Sequence, residues 1–190
     1  MFHVKQVQFQ FVAVIGRGPR PGRRQTAAAL ASANELAGRQ TQLSLSHAET
    51  ARLVSRETRA TSAVDVFGVV DEDTPGADEM LTGASRIVIS LADTPDLAEF
   101  AGAIGNYVTG DLGVDPQRLI VVVHAPEMTT ACVQRLSAVE VFGWGRHPFC
   151  ISHLSDGYHE ILKKGILNLG TLGTEPAIAN LVEVWTELRL

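Results

Sequence analysis

Phe9–Ile15 (FQFVAVI), Gly16–Arg24 (GRGPRPGRR) and Gln25–Ala37 (QTAAALASANELA) follow one another without a break, and this stretch decides how the rest of the chain is read. The first segment is a short apolar run rich in β-branched and aromatic residues, the pattern of a strand covered on both faces. The last collects strong helix formers and meets Gly38 where a helix stop belongs. Strand, glycine loop and helix in that order predict the opening unit of an α/β fold.

The alternation continues downstream. Thr41–Ser46, Val64–Asp71, Arg86–Leu91 (RIVISL), Arg118–His124 (RLIVVVH) and Phe149–Ile151 read as strands. Ala48–Arg59, Asp78–Gly83, Pro95–Thr109, Thr129–Leu136, Ser155–Lys164 and Glu175–Leu188 read as the helices between and after them. Strands spaced by single helices predict a mostly parallel sheet with helices on both faces and right-handed crossovers. No repeat or linker divides the chain, so residues 1–190 are read as a single α/β domain.

Composition narrows the function classes. Of 190 residues, 45% are hydrophobic and 19% charged, enough apolar content to fill a core. No apolar stretch approaches the ~20 residues of a membrane helix, and the start of the chain lacks the pattern of a secretory signal. Cys132 and Cys150 are the only cysteines, which argues against a disulfide scaffold or a zinc site and makes a reducing cytoplasm the expected location. The net charge of −5 argues against a generally basic nucleic-acid-binding surface. Positive charge is nonetheless concentrated, with Arg17, Arg20, Arg23 and Arg24 in one acid-free loop.

Ligands of an open parallel sheet bind outside the carboxyl ends of its strands. The loop Gly16–Thr26 is therefore the first candidate, because a glycine turn before a helix offers N–H groups and a favourable dipole to an anion. Pro19 and Pro21 remove two such donors, and no lysine lies between Lys5 and Lys163. A rigid turn with solvated arginines is the alternative reading. The second candidate is Asp71, at the end of an apolar run and inside Asp71-Glu72-Asp73-Thr74-Pro75-Gly76, with a turn or cap acid as its alternative. His147, His153 and His159 around Cys150 fit no standard metal template. Ser46-His47 and Ser152-His153 lack the elbow and orienting group of a hydrolase.

VAVIGRGPRPGRRQTAAALA, VDVFGVVDEDTPGADEML, RIVISLADTPDLAEF and RLIVVVHAPE, in this order, resemble the ParA/MinD family of P-loop ATPases, which position DNA or other cellular cargo. The resemblance spans most of residues 9–188 as an order of elements. It implies a strand, a Lys-Gly-Gly-x-Gly-Lys-Thr-Thr loop, an Ala/Leu-rich helix and a later strand ending Asp-Thr-Pro-Pro-Gly. Registered on Leu30-Ala31, it places Arg17 at the family's signature Lys, with Gly18 next. Arg23 then stands at the phosphate Lys and Arg24 at the magnesium-binding Thr, while Thr26 lies further into the helix. The loop is one residue longer than the family's. His124 falls where the family often carries an Asn near the nucleotide base; a satisfied strand-end histidine is the alternative. The family's second strand ends in an aspartate motif, but Leu43-Ser44-Leu45-Ser46-His47 offers no carboxylate before Glu49.

Gly16, Arg17, Gly18, Gly22, Arg23, Arg24, Thr26, Asp71 and His124 are thus the candidate nucleotide or anion site. Arg17, Arg20, Arg23 and Arg24 are the candidate contacts to DNA or a protein partner. Phosphoryl transfer depends on charge stabilisation and placed metal and water, and single electrostatic donors are worth about 3–4 kcal/mol. Losing Lys, Thr and the water-orienting acid predicts a degenerate relative with little or no hydrolysis, no catalytic residue and no obligatory cofactor. It is expected to act by association, as a homodimer or on a cargo complex. The alternatives are an active ATPase with an Arg-substituted loop that uses ATP and Mg²⁺, held in part by Asp71, and a structural subunit that binds no nucleotide.

Overall fold

The computed structural model describes residues 10–18, 22–60, 63–125, 129–140 and 148–152. Six strands form one sheet: β1 (Phe11–Ile15), β2 (Thr41–Ser44), β3 (Asp65–Val69), β4 (Arg86–Ala92), β5 (Leu119–Ala125) and β6 (Phe149–Ser152). Their order is β2-β3-β1-β4-β5-β6, and every neighbouring pair is parallel. The helices are α1 (Arg23–Leu36), α2 (His47–Arg59), α3 (Ala77–Gly83), α4 (Leu97–Asn106) and α5 (Thr130–Glu140). The expected α/β class is what the chain adopts. The two C-terminal helices expected at Ser155–Lys164 and Glu175–Leu188 lie outside the described residues, as do His147, His153 and His159.

Strand pleating sorts the interior into two faces. Phe11, Ala13 and Ile15 of β1 join one cluster with Met80 and Leu81 of α3, Leu97, Ala101 and Ile104 of α4, and Leu136 of α5. Alternation turns Val12 and Val14 to the opposite face, where α1 packs. Ala27, Ala28, Leu30, Ala31 and Ala33 of α1 are buried. A helix with so little side-chain bulk approaches the sheet closely, and the buried polar side chains Asp65, Ser90 and His124 of the strands reach it.

The first of these is Asp65, at the start of β3 and fully buried. Its carboxylate accepts from the Gln10 N–H at 3.2 Å, from Asn34 Nδ2 at 2.9 Å and from the Arg39 guanidinium. One carboxylate thus joins β1, α1, the α1–β2 turn and β3 at the amino edge of the sheet. At the carboxyl edge, Asp93 beyond β4 accepts from Arg135 of α5 at 2.6 and 2.7 Å, a bidentate pair. Helix boundaries differ from the expected ones by a few residues. The helix expected at Pro95–Thr109 starts at Leu97 and changes to a π-helical turn at Tyr107–Asp111.

Removing one member of a buried, hydrogen-bonded pair leaves the other uncompensated. Asp65→Asn is therefore expected to lower the unfolding free energy by about 3–5 kcal/mol, read as a shift in the urea midpoint. The Arg135 hydrogen bonds hold the Asp93 carboxyl below its ordinary value of 3.8, against the opposing effect of burial. A depressed carboxyl stabilises the fold fully above the unfolded value and loses that contribution as pH falls through the lower folded one. Asp93→Asn is expected to flatten the loss of stability below about pH 4 in acid-unfolding curves.

Candidate functional site

At the carboxyl ends of the strands, α1 leads away from β1 toward β3 and β2, while α4 leads away from β4 toward β5. The chain therefore diverges between β1 and β4, and the loops following β1, β3 and β4 border that point. A cleft of about 400 Å³ opens beside it, lined by Arg23, Arg24 and Gln25 of α1, Ser46 and His47 before and at the start of α2, and Asp71.

Gly16 is buried directly beyond β1. Gly18 is exposed with φ +85°, and a Cβ built on it would stand 2.8 Å from the Phe100 ring. Arg20 lies outside the described residues. Gly22 precedes α1 in the left-handed region, at φ 64°, and α1 begins at Arg23, two residues earlier than the sequence pattern suggests. No acid lies in the first turn of α1 and no side chain caps it. The acids come from the loop after β3 instead. Arg23 approaches Asp71 at 3.8 Å and donates to the Val70 carbonyl at 3.4 Å. Arg17 Nε donates to Glu72 Oε1 at 2.6 Å. The Glu72 side chain is only 7% exposed, and its second oxygen is buried without a hydrogen-bond partner among the described residues. Arg24 remains exposed on the cleft.

Thr26 points away from the cleft. It is fully buried, with its hydroxyl 2.8 Å from His124 Nε2 and 3.0 Å from Ser90 Oγ. Ser90 Oγ lies 3.1 Å from the same ring nitrogen, which closes a triangle of polar atoms between α1, β4 and β5. His124 is buried directly under Gly22. This constellation satisfies buried polar groups and leaves none of the three facing open space. Asp71, two residues past β3, is exposed; its N–H donates to His47 Nδ1 at 3.2 Å. His47 Nε2 lies 3.3 Å from the Pro75 carbonyl. Both contacts require the neutral imidazole with its proton on Nε2. His47 thereby fastens the β3–α3 loop to the start of α2. Ser44 Oγ, at the end of β2, lies 3.2 Å from Glu49 Oε2, so that acid is drawn back to the strand end.

His47, Glu72, Ser90 and Phe100 were not singled out from the sequence as site residues. Ser90 carried a usable signal: a hydroxyl inside RIVISL, in a strand buried on both faces, needs a partner. The cleft's cationic and N–H-rich rim fits an anion. It fits a magnesium triphosphate poorly, because Asp71 faces Arg23 and the Thr26 hydroxyl is already engaged. Among the described residues, no three His, Cys, Asp or Glu side chains converge on a metal position.

Any side chain at Gly22 meets both the left-handed backbone and the His124 ring, 2.6 Å from a Cβ. Gly22→Ala is expected to cost about 1–3 kcal/mol of stability in denaturant titrations and to shift the His124 imidazole resonances in NMR spectra.

The sequence matches no protein-family model and no curated protein. In three dimensions the chain is similar to a ParA family ATPase from Chlorobium tepidum TLS, with a TM-score of 0.69 and 10% identity over 94% of this chain and 99% of that one. It is also similar to the MinC:MinD cell division protein complex of Aquifex aeolicus, with a TM-score of 0.67 and 10% identity over 95% of each chain. McdA from Cyanthece, in its apo form, gives a TM-score of 0.67 at 12% identity, over 96% of this chain and 100% of that one. At such low identity the likeness speaks for architecture: the chain has a ParA/MinD-like P-loop NTPase fold.

Proposed function

We propose that this is a ParA/MinD-like protein that works by association, in partitioning, positioning or assembling a larger complex, with little or no ATP hydrolysis. The observation that carries this reading is the charge pairing across the two loops, Arg17 on Glu72 and Arg23 on Asp71. A loop that turns over a triphosphate keeps its cations for the phosphates and its acid for the metal shell. Here each is turned toward the other. Arginine also differs from lysine at such a position, since its planar fork demands another geometry. The similarity to the MinC:MinD complex supports a protein partner, and a homodimer is part of the proposal. Arg24 is exposed and has no ion pair among the described residues, and contact with DNA phosphates would draw on it together with Arg17, Arg20 and Arg23.

A second reading is an ATPase that uses an Arg-substituted loop with ATP and Mg²⁺. It is favoured by the anion-compatible cleft at the start of α1 and by the likeness to a ParA family ATPase. The two readings separate in one assay. The purified protein is expected to release no phosphate from ATP above background, with or without Mg²⁺, and Asp71→Ala is expected to change nothing. Steady Mg²⁺-dependent release that disappears in Asp71→Ala overturns the association reading and establishes the second. DNA contact is tested by retention at low and raised salt, since phosphate binding weakens steeply with salt. Arg20→Glu together with Arg23→Glu is expected to abolish retention; unchanged retention removes DNA from the proposal.

A further inference from the structure

Helix α2 lies over β2, an edge strand of the described sheet, and its outward side is basic. Leu53 and Val54 pack toward the core, and Glu57 is buried. Arg52, Ser55, Arg56 and Arg59 are exposed and, with Ala51 and Ala60, line a shallow groove of about 700 Å³. Arg56 is held in place: Nε donates to Glu57 Oε1 at 2.7 Å, and its other end donates to Gln42 Oε1 on β2. Arg52 and Arg59 have no ion pair or hydrogen bond with any described residue. Three guanidinium groups thus face outward along the last two turns of α2; of the two acids of the helix, Glu57 is buried and Glu49, in the first turn, lies 3.2 Å from Ser44 Oγ at the end of β2.

We propose that this groove docks an acidic amphipathic helix of a partner protein. The inference rests on the association reading and supplies the chemistry of its partner. Arg52 and Arg59 are seven residues apart, about 10.5 Å along the helix axis. Carboxylates two turns apart on a facing helix span the same distance, and one between them meets Arg56. Arginine is suited to such carboxylates because its fork pairs with them bidentately. The alanines and the methylene stems of the arginines give the floor an apolar surface, which leucines of a peptide can cover. A nucleic acid fits less well. Its charge recurs every ~1.7 Å over a long duplex, whereas the three guanidinium groups of this patch span only about 10.5 Å, roughly one Debye length. A phosphate backbone also has nothing apolar to lay against the alanines.

The test uses fluorescence anisotropy with the full chain and a labelled helical peptide carrying Glu at three positions spaced four and three residues apart, with Leu between them. The expected result is saturable binding, about tenfold weaker for the Glu→Gln peptide and about tenfold weaker for Arg52→Glu with Arg59→Glu. The double Arg→Lys variant, which keeps the charge but loses the bidentate fork, is expected to bind between the wild type and the double reversal, and both variants to keep the wild-type melting temperature. No peptide binding overturns the proposal, as does binding indifferent to the double reversal. It is also overturned if a short DNA duplex, but not the peptide, loses affinity in the reversed variant. None of these results depends on the loops: ATP turnover by the wild-type protein would sink the association reading while leaving the peptide result standing, and the reverse failure would leave that reading intact.

Discussion

The first turn of α1 carries Arg23 and Arg24 at the pole where aligned peptide dipoles already place about half a positive charge. Helices ordinarily meet that pole with an acid or a hydroxyl cap, and this one has neither. The compensation comes from a different part of the chain, the loop after β3, whose Asp71 and Glu72 are set against Arg23 and Arg17. Because β3 lies directly beside β1 in the sheet, the two loops emerge side by side and their opposite charges meet. The same β3–α3 loop borders the cleft and is tethered to the start of α2 through His47.

The α1 face of the sheet shows the same economy of placement. Asp65, Ser90 and His124 occupy strand positions whose side chains alternate away from the larger apolar cluster, and α1 answers with Asn34 and Thr26. A bulkier helix would stand off and leave those groups without partners, at a cost of about 1–3 kcal/mol each. The buried alanines of α1 let the polar atoms meet at 2.8–3.1 Å. Small residues on the helix and polar residues in the strands are therefore one device.

How much of this was legible in the sequence depended on the range of the signal. The run from Phe9 to Ala37 showed its strand, loop and helix because each is specified by neighbours within a few residues, and the family likeness could be read from the order of such units. The strand order β2-β3-β1-β4-β5-β6 was not legible, since a parallel sheet is assembled by crossovers and the apolar runs do not name their neighbours. For the same reason Asp71 could be picked out as a strand-end acid, yet its facing Arg23 could not. Glu72 was quoted only as part of an acidic run, although it is the more deeply buried of the two acids. His124 was legible as a strand-end residue; that its ring meets Thr26 and Ser90 depends on β4 and β5 being adjacent and on α1 crossing over them.

An internal ion pair and a bound nucleotide compete for the same charges, and this competition is the physical basis of the proposed function. A phosphate entering beside α1 must displace Asp71 from Arg23, and releasing Arg17 would leave Glu72 as a buried carboxylate without a counter-charge. Uncompensated buried charge costs several kcal/mol, so the ligand's affinity is reduced by the work of opening the pairs. The ion pairs also hold Arg17 and Arg23 in place without any ligand, and side chains already held in one arrangement meet a partner with less ordering cost than mobile ones. Charges that in a turnover enzyme would be spent on the transition state are, on this reading, spent on presenting a constant surface.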